Sequence, residues 1–393
     1  MLDTNKILEL FNTALDYKNK GELESAAKLY EEVLKMTDQL PEVYFNLAFV
    51  YIDLDRQKEA IDCLNKFIQM EPNDTEGYYF LAIAYFKTKD YEKGYPYFEQ
   101  RISRFHAIQT QYKLYGERFK KIPFWQGEDL TDKTIYVYYE AGLGDTLMYY
   151  RYIELLAKRC KRVYFKSQIP LMPLFAENRY GSKIIMHFTE EMASECDYQC
   201  PIMSLPYFLG LDNKEIYYKS DKFLHAVSKK VQWYKEKFFN NDKLKIGIKW
   251  QGNTFIGTER AITPDSFAKI FELPNTQVYS VQVTNDEEEV KTLQGKYDII
   301  DIASTFKDFS CTAAAMENLD IVICNDTSVG HLAGAMGKKC YMILPKYYDW
   351  RWHMDISKCD WYDSIKLFRQ KTTWEEVIER IYEDINLTFV NKF

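Results

Sequence analysis

Slid along itself by 34 residues, the first quarter of this chain matches itself, and few folds tolerate such a period. Tyr17, Tyr51 and Tyr85 recur in register, and so do Ala26, Ala60 and Gly94. Around each tyrosine the spacing of aromatic, leucine and small residues, as in Tyr44, Leu47, Ala48 and Tyr51, is helical. Small residues at the second register position let paired helices approach closely, and Pro72 falls where a helix must stop. The pattern predicts three helix pairs beginning near residues 7, 41 and 75.

That period is the one of tetratricopeptide (TPR) repeats, and residues 1–108 are assigned to them. A stack of such units buries the faces between neighbours and leaves a groove for a protein or peptide. The same three units can serve instead as a packing platform or a dimer surface. Repeat identity leaves both open, and the oligomeric state with them.

At 393 residues the chain has room for further domains, and 47% hydrophobic with 28% charged residues is the composition of folded protein. Acidic residues outnumber basic ones, 58 to 51, for a net charge of -7, which excludes a general nucleic-acid or anionic-membrane binder. The opening MLDTNKILELF lacks the basic and then apolar stretches of a signal peptide, and no apolar run is long enough to span a bilayer. The expected location is the cytoplasm, including the inner face of the membrane. The eight cysteines are scattered, so reduced thiols are expected. Cys196 and Cys200 are spaced as a metal pair would be, yet no second pair follows at ligand spacing.

After a connecting segment over 109–130, strand-like and helix-like stretches alternate, the mark of parallel βα units. TIYVYY, RVYFKS and KIIMHF read as strands of a domain over 131–240. LKIGIKW opens a second domain over 241–393, continued by QVYSVQ, DIID, LDIVIC and CYMIL. Two such domains in tandem form a cleft at the carboxyl ends of their strands, where open α/β sheets bind ligands.

The turns at those ends carry the candidate chemistry. EAGLGDTLMYY sets Gly142, Leu143, Gly144 and Asp145 between a strand and a helix; the glycines permit close backbone approach, and Asp145 is expected at or near the helix N-cap, as a cap or as a base. IVICNDTSVGHLAGAMGK runs from a buried strand into Asp326, Thr327, Ser328, Val329, Gly330 and His331. The amides of Thr327 to Gly330 at a helix N-terminus suit a diphosphate without a metal. KWQGNTFIGTERAITP presents Trp250, Gly252, Asn253 and Arg260, an arginine able to grip a phosphate with two parallel hydrogen bonds or simply to sit in solvent. Gln282 ends the strand that follows. The run Glu287 to Glu289 is a solvated first helical turn or the place of a carboxylate on a ribose diol. The only short DxD, Asp53 and Asp55, falls inside the repeats, so no metal site is expected.

Taken together and in this order, PFWQG, EAGLGDTLMYYRYIELLAK, KWQGN, LDIVICNDTSVGHLAGAMGK and DWRWHMDISKCDWYDSIKLFRQ resemble the TPR-bearing branch of glycosyltransferase family 9. Its better-known members are bacterial ADP-heptose lipopolysaccharide heptosyltransferases. The resemblance implies a GT-B fold of two Rossmann-like α/β domains behind the TPR helices. It implies inverting, metal-independent transfer of a sugar from a nucleotide sugar, ADP-linked or another nucleoside diphosphate, with no further cofactor. The acceptor, a protein or glycan, is held by the first α/β domain and the donor by the second. By the same resemblance Asp145 matches the general base, and Arg260 the basic residue at the donor phosphates. Asp326, Thr327, Ser328 and Gly330 match the donor-sugar and diphosphate loop, and Glu287 or Glu288 the ribose carboxylate. Heptose and lipopolysaccharide do not carry over, because the donors and acceptors of TPR-bearing members are poorly defined. Protein O-GlcNAc transferases share the TPR and GT-B arrangement but not these blocks. The alternatives are an inactive TPR/GT-B scaffold that binds a nucleotide sugar or glycan, and a nucleotide-sugar epimerase.

Overall fold

The computed structural model describes residues 4–104, 119–187, 189, 191–252, 262–284, 287–354 and 358–390 and divides into two compact units. One comprises Met1–Ile108, Leu211–Ile216 and Tyr347–Asp355; the other comprises Gln109–Gly210, Tyr217–Lys346 and Ile356–Phe393.

The first unit contains the three helix pairs expected from the repeat: α1 (Thr4–Asn19) with α2 (Leu23–Met36), α3 (Pro41–Asp53) with α4 (Gln57–Met70), and α5 (Thr75–Lys87) with α6 (Tyr91–Phe98). The tyrosine register has a backbone meaning. In each repeat the first helix ends in a Schellman motif, with residues 21, 55 and 89 in the left-handed region at φ of 77°, 58° and 63°. The carbonyls of Tyr17, Tyr51 and Tyr85 accept from the amides of Glu22, Arg56 and Asp90 at 2.9, 2.8 and 3.0 Å. Only the first repeat uses a glycine there. The small-residue register is steric: a Cβ on Gly94 would lie 2.6 Å from Phe86 Cδ1, so α6 meets α5 only without a side chain at that position.

Residues Tyr347–Asp355 belong to this helical unit rather than with the rest of the expected 241–393 domain. Their aromatic and polar groups follow the row of turns. Tyr347 Oη donates to Gly21 O at 3.3 Å, and Tyr348 Oη to Asp55 Oδ2 at 2.8 Å. The buried Lys87 ammonium lies 4.7 Å above the Tyr348 ring and bonds Ile52 O and Asp55 Oδ1. Trp350 packs on Phe86 with ring centres 4.8 Å apart, and His353 Nε2 lies 3.2 Å from Tyr91 Oη.

The second unit contains two parallel sheets. In the first, β1 (Thr134–Tyr138), β2 (Arg162–Lys166), β3 (Ile184–Ile185) and β4 (Tyr198–Pro201) take the order β3-β2-β1-β4. In the second, β5 (Leu244–Lys249), β6 (Thr276–Ser280), β7 (Ile299–Asp301), β8 (Ile321–Asn325), β9 (Cys340–Leu344) and β10 (Ile365–Arg369) take the order β10-β9-β8-β5-β6-β7. Read from the far edge this is 3-2-1-4-5-6, the Rossmann order. The sequence reading lacked β4 and β10.

One face of the second sheet, with Ile246, Ile248, Ile321, Ile323 and Ile343, is covered by the helix Trp374–Ile385. That helix buries Val377, Ile378, Ile381 and Ile385, a stripe at helical spacing worth about 1.5–3 kcal/mol for each side chain fully removed from water. Cys200 is buried in β4, and burial pushes the Cys196 thiol up to about 12, so both are inert thiols. Among the described residues no group of three His, Cys, Asp or Glu side chains is placed to hold a metal, and no helix is long and apolar enough to cross a membrane.

Candidate functional site

In both sheets the strand order reverses once, between β1 and β4 and between β5 and β8. Ligands of open α/β sheets bind beyond the carboxyl ends of the strands at such points. The passage from β1 into the next helix carries Gly142 to Asp145, the loop after β5 carries Gly252, and the passage from β8 into its helix carries Asp326 to Ser328. The motifs singled out from sequence are thus the turns that the topology brings to the two crevices.

Gly142 is the N-cap of the helix Leu143–Tyr149, and Asp145 stands at its third position rather than at the cap. The glycine offers no side chain to the turn, so Asp145 reaches back and its Oδ2 accepts the Gly142 amide at 2.9 Å. The loop is held from two further directions. Glu140 Oε1 accepts the Met203 amide at 3.0 Å, tying the loop after β1 to that after β4, and Gln168 Nε2 donates to Ala141 O at 2.9 Å.

This helix packs against Ser328–Ala335, the helix that follows β8. A Cβ on Gly144 would stand 2.7 Å from His331 Cδ2 and 3.3 Å from its Nε2. The histidine is buried, and its Nδ1 lies 3.0 Å from Tyr362 Oη. Arg151, fully buried, lies 4.9 Å from the Tyr362 ring and donates to Tyr218 O and Trp361 O. Tyr362 and Arg151 are supporting residues that sequence reasoning missed, although both lie inside blocks it quoted. The sole available signal was the aromatic density of DWYD.

On the second sheet, Thr327 is the N-cap of Ser328–Ala335. The Gly330 amide donates to Thr327 O at 3.0 Å, which withdraws it from the anion-facing set expected from sequence; Ser328 and Val329 supply the amides of the first turn. Gly330 is instead a packing residue, since a Cβ there would lie 3.1 Å from Cys324 Sγ. The loops after β5 and β8 touch: a Cβ on Gly252 would stand 3.0 Å from Thr327 Cγ2, and Asn325 Nδ2 donates to Trp250 O at 3.3 Å.

Several expected donor contacts have other occupations. Trp250 is 1% exposed within the apolar core, and its Nε1 donates to Glu289 Oε2 at 3.1 Å, so its ring supports the loop from below. Gln282 is buried, and its Oε1 accepts from the Gln251 amide at 3.1 Å and from Lys249 Nζ at 3.2 Å. Glu288 is highly exposed and pairs with Lys291 at 2.9 Å. Of the two described side chains of the acidic run, Glu289 rather than Glu288 reaches the loop. Glu287 begins its helix, but its side chain, Asn253 and Arg260 lie outside the described residues. Sequence reasoning also missed Lys249. It closes β5 beside the crevice, where burial pushes its ammonium down to about 8.

Two parallel α/β sheets, each with its candidate loops at the carboxyl edge, behind tetratricopeptide helices, define a GT-B fold with an N-terminal repeat array. The tetratricopeptide repeat family model matches residues 41–74 and 75–104. The chain is 22% identical over 402 residues to Protein FlbA of Caulobacter vibrioides; the match covers 92% of this chain and spans 64% of that protein's length. Among solved structures it is similar to a glycosyl transferase of family 9 from Veillonella parvula, with 11% identity and a TM-score of 0.52 over 68% of this chain and 99% of the other. The ADP-heptose lps heptosyltransferase II of E. coli gives 12% identity and a TM-score of 0.48 over 66% and 99%.

Proposed function

We propose that this protein is a glycosyltransferase that moves a sugar from a nucleotide-sugar donor to a hydroxyl of a protein or glycan acceptor, with inversion and without a metal. The observation that carries the reading is the packing of the Asp145 helix on the helix after β8, with Gly144 set against His331. It joins a carboxylate-bearing loop of one sheet to an anion-suited helix N-terminus of the other. The fold shared with the family 9 structure and the ordered sequence blocks support the same reading.

In this mechanism the acceptor hydroxyl attacks the anomeric carbon as the nucleoside diphosphate departs. Asp145 takes the proton in the transition state, and its bond from Gly142 fixes the carboxylate's direction. The amides of Ser328 and Val329, with Arg260, meet the charge that develops on the leaving phosphate. Asp326 accepts from donor-sugar hydroxyls. The repeat array presents the acceptor or a partner protein; Phe49 of α3 keeps 37% of its surface exposed beside Phe80, an apolar foothold for such a chain.

Incubating the full chain with ADP-, UDP- and GDP-sugars tests the reading through release of free nucleoside diphosphate. Slow hydrolysis or transfer with one donor, unaffected by EDTA, is expected. Absence of release with measurable donor binding would identify a binding scaffold, and an isomerised sugar still attached to its nucleotide would identify an epimerase.

A further inference from the structure

Lys249 lies on the sheet face that carries the proposed diphosphate site. Along β5, Ile246, Ile248 and Trp250 enter the apolar core, so Gly247 and Lys249 take the opposite face. In the parallel pairing of β5 with β8, Lys249 is registered with Cys324, and registered neighbours share a face. Gly330, in the first turns of Ser328–Ala335, packs on Cys324. The ammonium and the N-terminus of that eight-residue helix therefore sit on one face, at the carboxyl edge, one strand apart.

Among the described residues no carboxylate pairs with Lys249. Its hydrogen-bond partner among the described residues is the Gln282 carboxamide oxygen at 3.2 Å, which also takes the Gln251 amide. A buried ammonium is ordinarily matched by a carboxylate, as Lys87 is by Asp55. Among the described residues the three N–H donors of Lys249 meet one shared neutral acceptor, which leaves the ammonium with donors to direct at a ligand.

We infer that Lys249 is a further donor-binding residue, whose ammonium receives the diphosphate of the nucleotide sugar from beneath the helix N-terminus. The inference rests on the glycosyltransferase reading. It adds a cation from the strand itself to the loop groups that the sequence motifs supply. Gln282 acts as a positioning residue, aiming the ammonium while holding the Gln251 backbone.

Calorimetric titration of the full chain with ADP, UDP and GDP, each paired with its nucleoside, tests this. The wild type is expected to prefer one diphosphate over its nucleoside. Lys249→Met is expected to weaken the diphosphate by about 10- to 100-fold and leave the nucleoside unchanged, while Lys249→Arg keeps most of the preference. Near-UV circular dichroism establishes that each variant is folded, and Lys249→Gln replaces Lys249→Met if the latter is not. A folded neutral variant that binds diphosphate like wild type overturns the role of Lys249 and leaves the proposed function standing. A wild type with no preference for any diphosphate over its nucleoside overturns both.

Discussion

Trp350→Ala should loosen the helical unit from its turn side. The indole is 3% exposed and lies against Phe86 and Tyr91, both fully buried, with ring centres 4.8 and 6.3 Å away. Truncating a buried tryptophan costs about 3–5 kcal/mol, through lost transfer energy and an unfilled cavity. If α5 and α6 open locally with that segment, their opening constants rise roughly a hundred- to a few thousand-fold. Hydrogen exchange read by mass spectrometry over peptides spanning 75–98 measures this directly. Faster exchange is expected there, with peptides over β5 and β8 unchanged. Leu387→Ala, at a side chain 70% exposed, is the control and should alter neither. Unchanged exchange over 75–98 in Trp350→Ala would mean that the segment after β9 rests on the repeats without stabilising them.

Asp145→Asn keeps an oxygen that can accept the Gly142 amide, so the melting temperature should hold while turnover falls about 10²- to 10⁴-fold; a folded variant with normal turnover would leave Asp145 as a helix-end residue only. Gly144→Ala drives a methyl to 2.7 Å from His331 Cδ2, and about 1–3 kcal/mol of destabilisation is expected in urea unfolding, with slower transfer. Once the terminal phosphate is fully ionised, above about pH 7, diphosphate affinity should hold to about pH 8 and then fall by up to about tenfold per pH unit as Lys249 deprotonates, whereas nucleoside affinity should not follow. Cys324 is the neighbour from β8 and Gln282 is neutral, so the same titration of Lys249→Met, in which the fall should vanish, assigns it to the lysine. On folding the sign is opposite. A lysine lowered from 10.5 to about 8 leaves the unfolded chain with more bound protons across that window, so this group's contribution to stability rises with pH there.

What was legible in the sequence follows from how local each feature is. The repeats were readable because the Schellman turns and the glycine or alanine contacts recur every 34 residues within single helix pairs. Strands of the second sheet were readable where both faces are buried and the run is apolar, as in β8 and β9. By contrast β4, reading YQCP, is short and polar at its start, and β10, reading IKLFR, is an edge strand with an exposed lysine. The placement of YYDWRWHM with the repeats was not readable at all, because its partners Gly21, Asp55, Phe86 and Tyr91 lie hundreds of residues away. Asp145 was found as a residue, but its exact step on the helix depends on cap geometry that motifs do not encode.

Glycines in such motifs invite a reading as openings for a ligand, and here three of them do something else. The helix Ser328–Ala335 is hemmed in on three sides. Gly330 lets it settle on Cys324 of the sheet, Gly334 lets it pass the Tyr362 ring, where a Cβ would lie 2.5 Å from Cδ1, and Gly144 across from it makes room for His331. A side chain at any of the three would push the helix outward and carry its N-terminal amides with it, so the small residues control where the anion-facing turn stands. In the proposed mechanism the chemistry then falls to the Asp145 carboxylate, the first-turn amides of Ser328 and Val329, Arg260 and Asp326, with the Lys249 ammonium added by the further inference. Lys249 opens the block KWQGN, but sequence reasoning singled out its later residues and not the lysine. The lysine ends β5, and strand pairing brings it to the crevice beside Cys324.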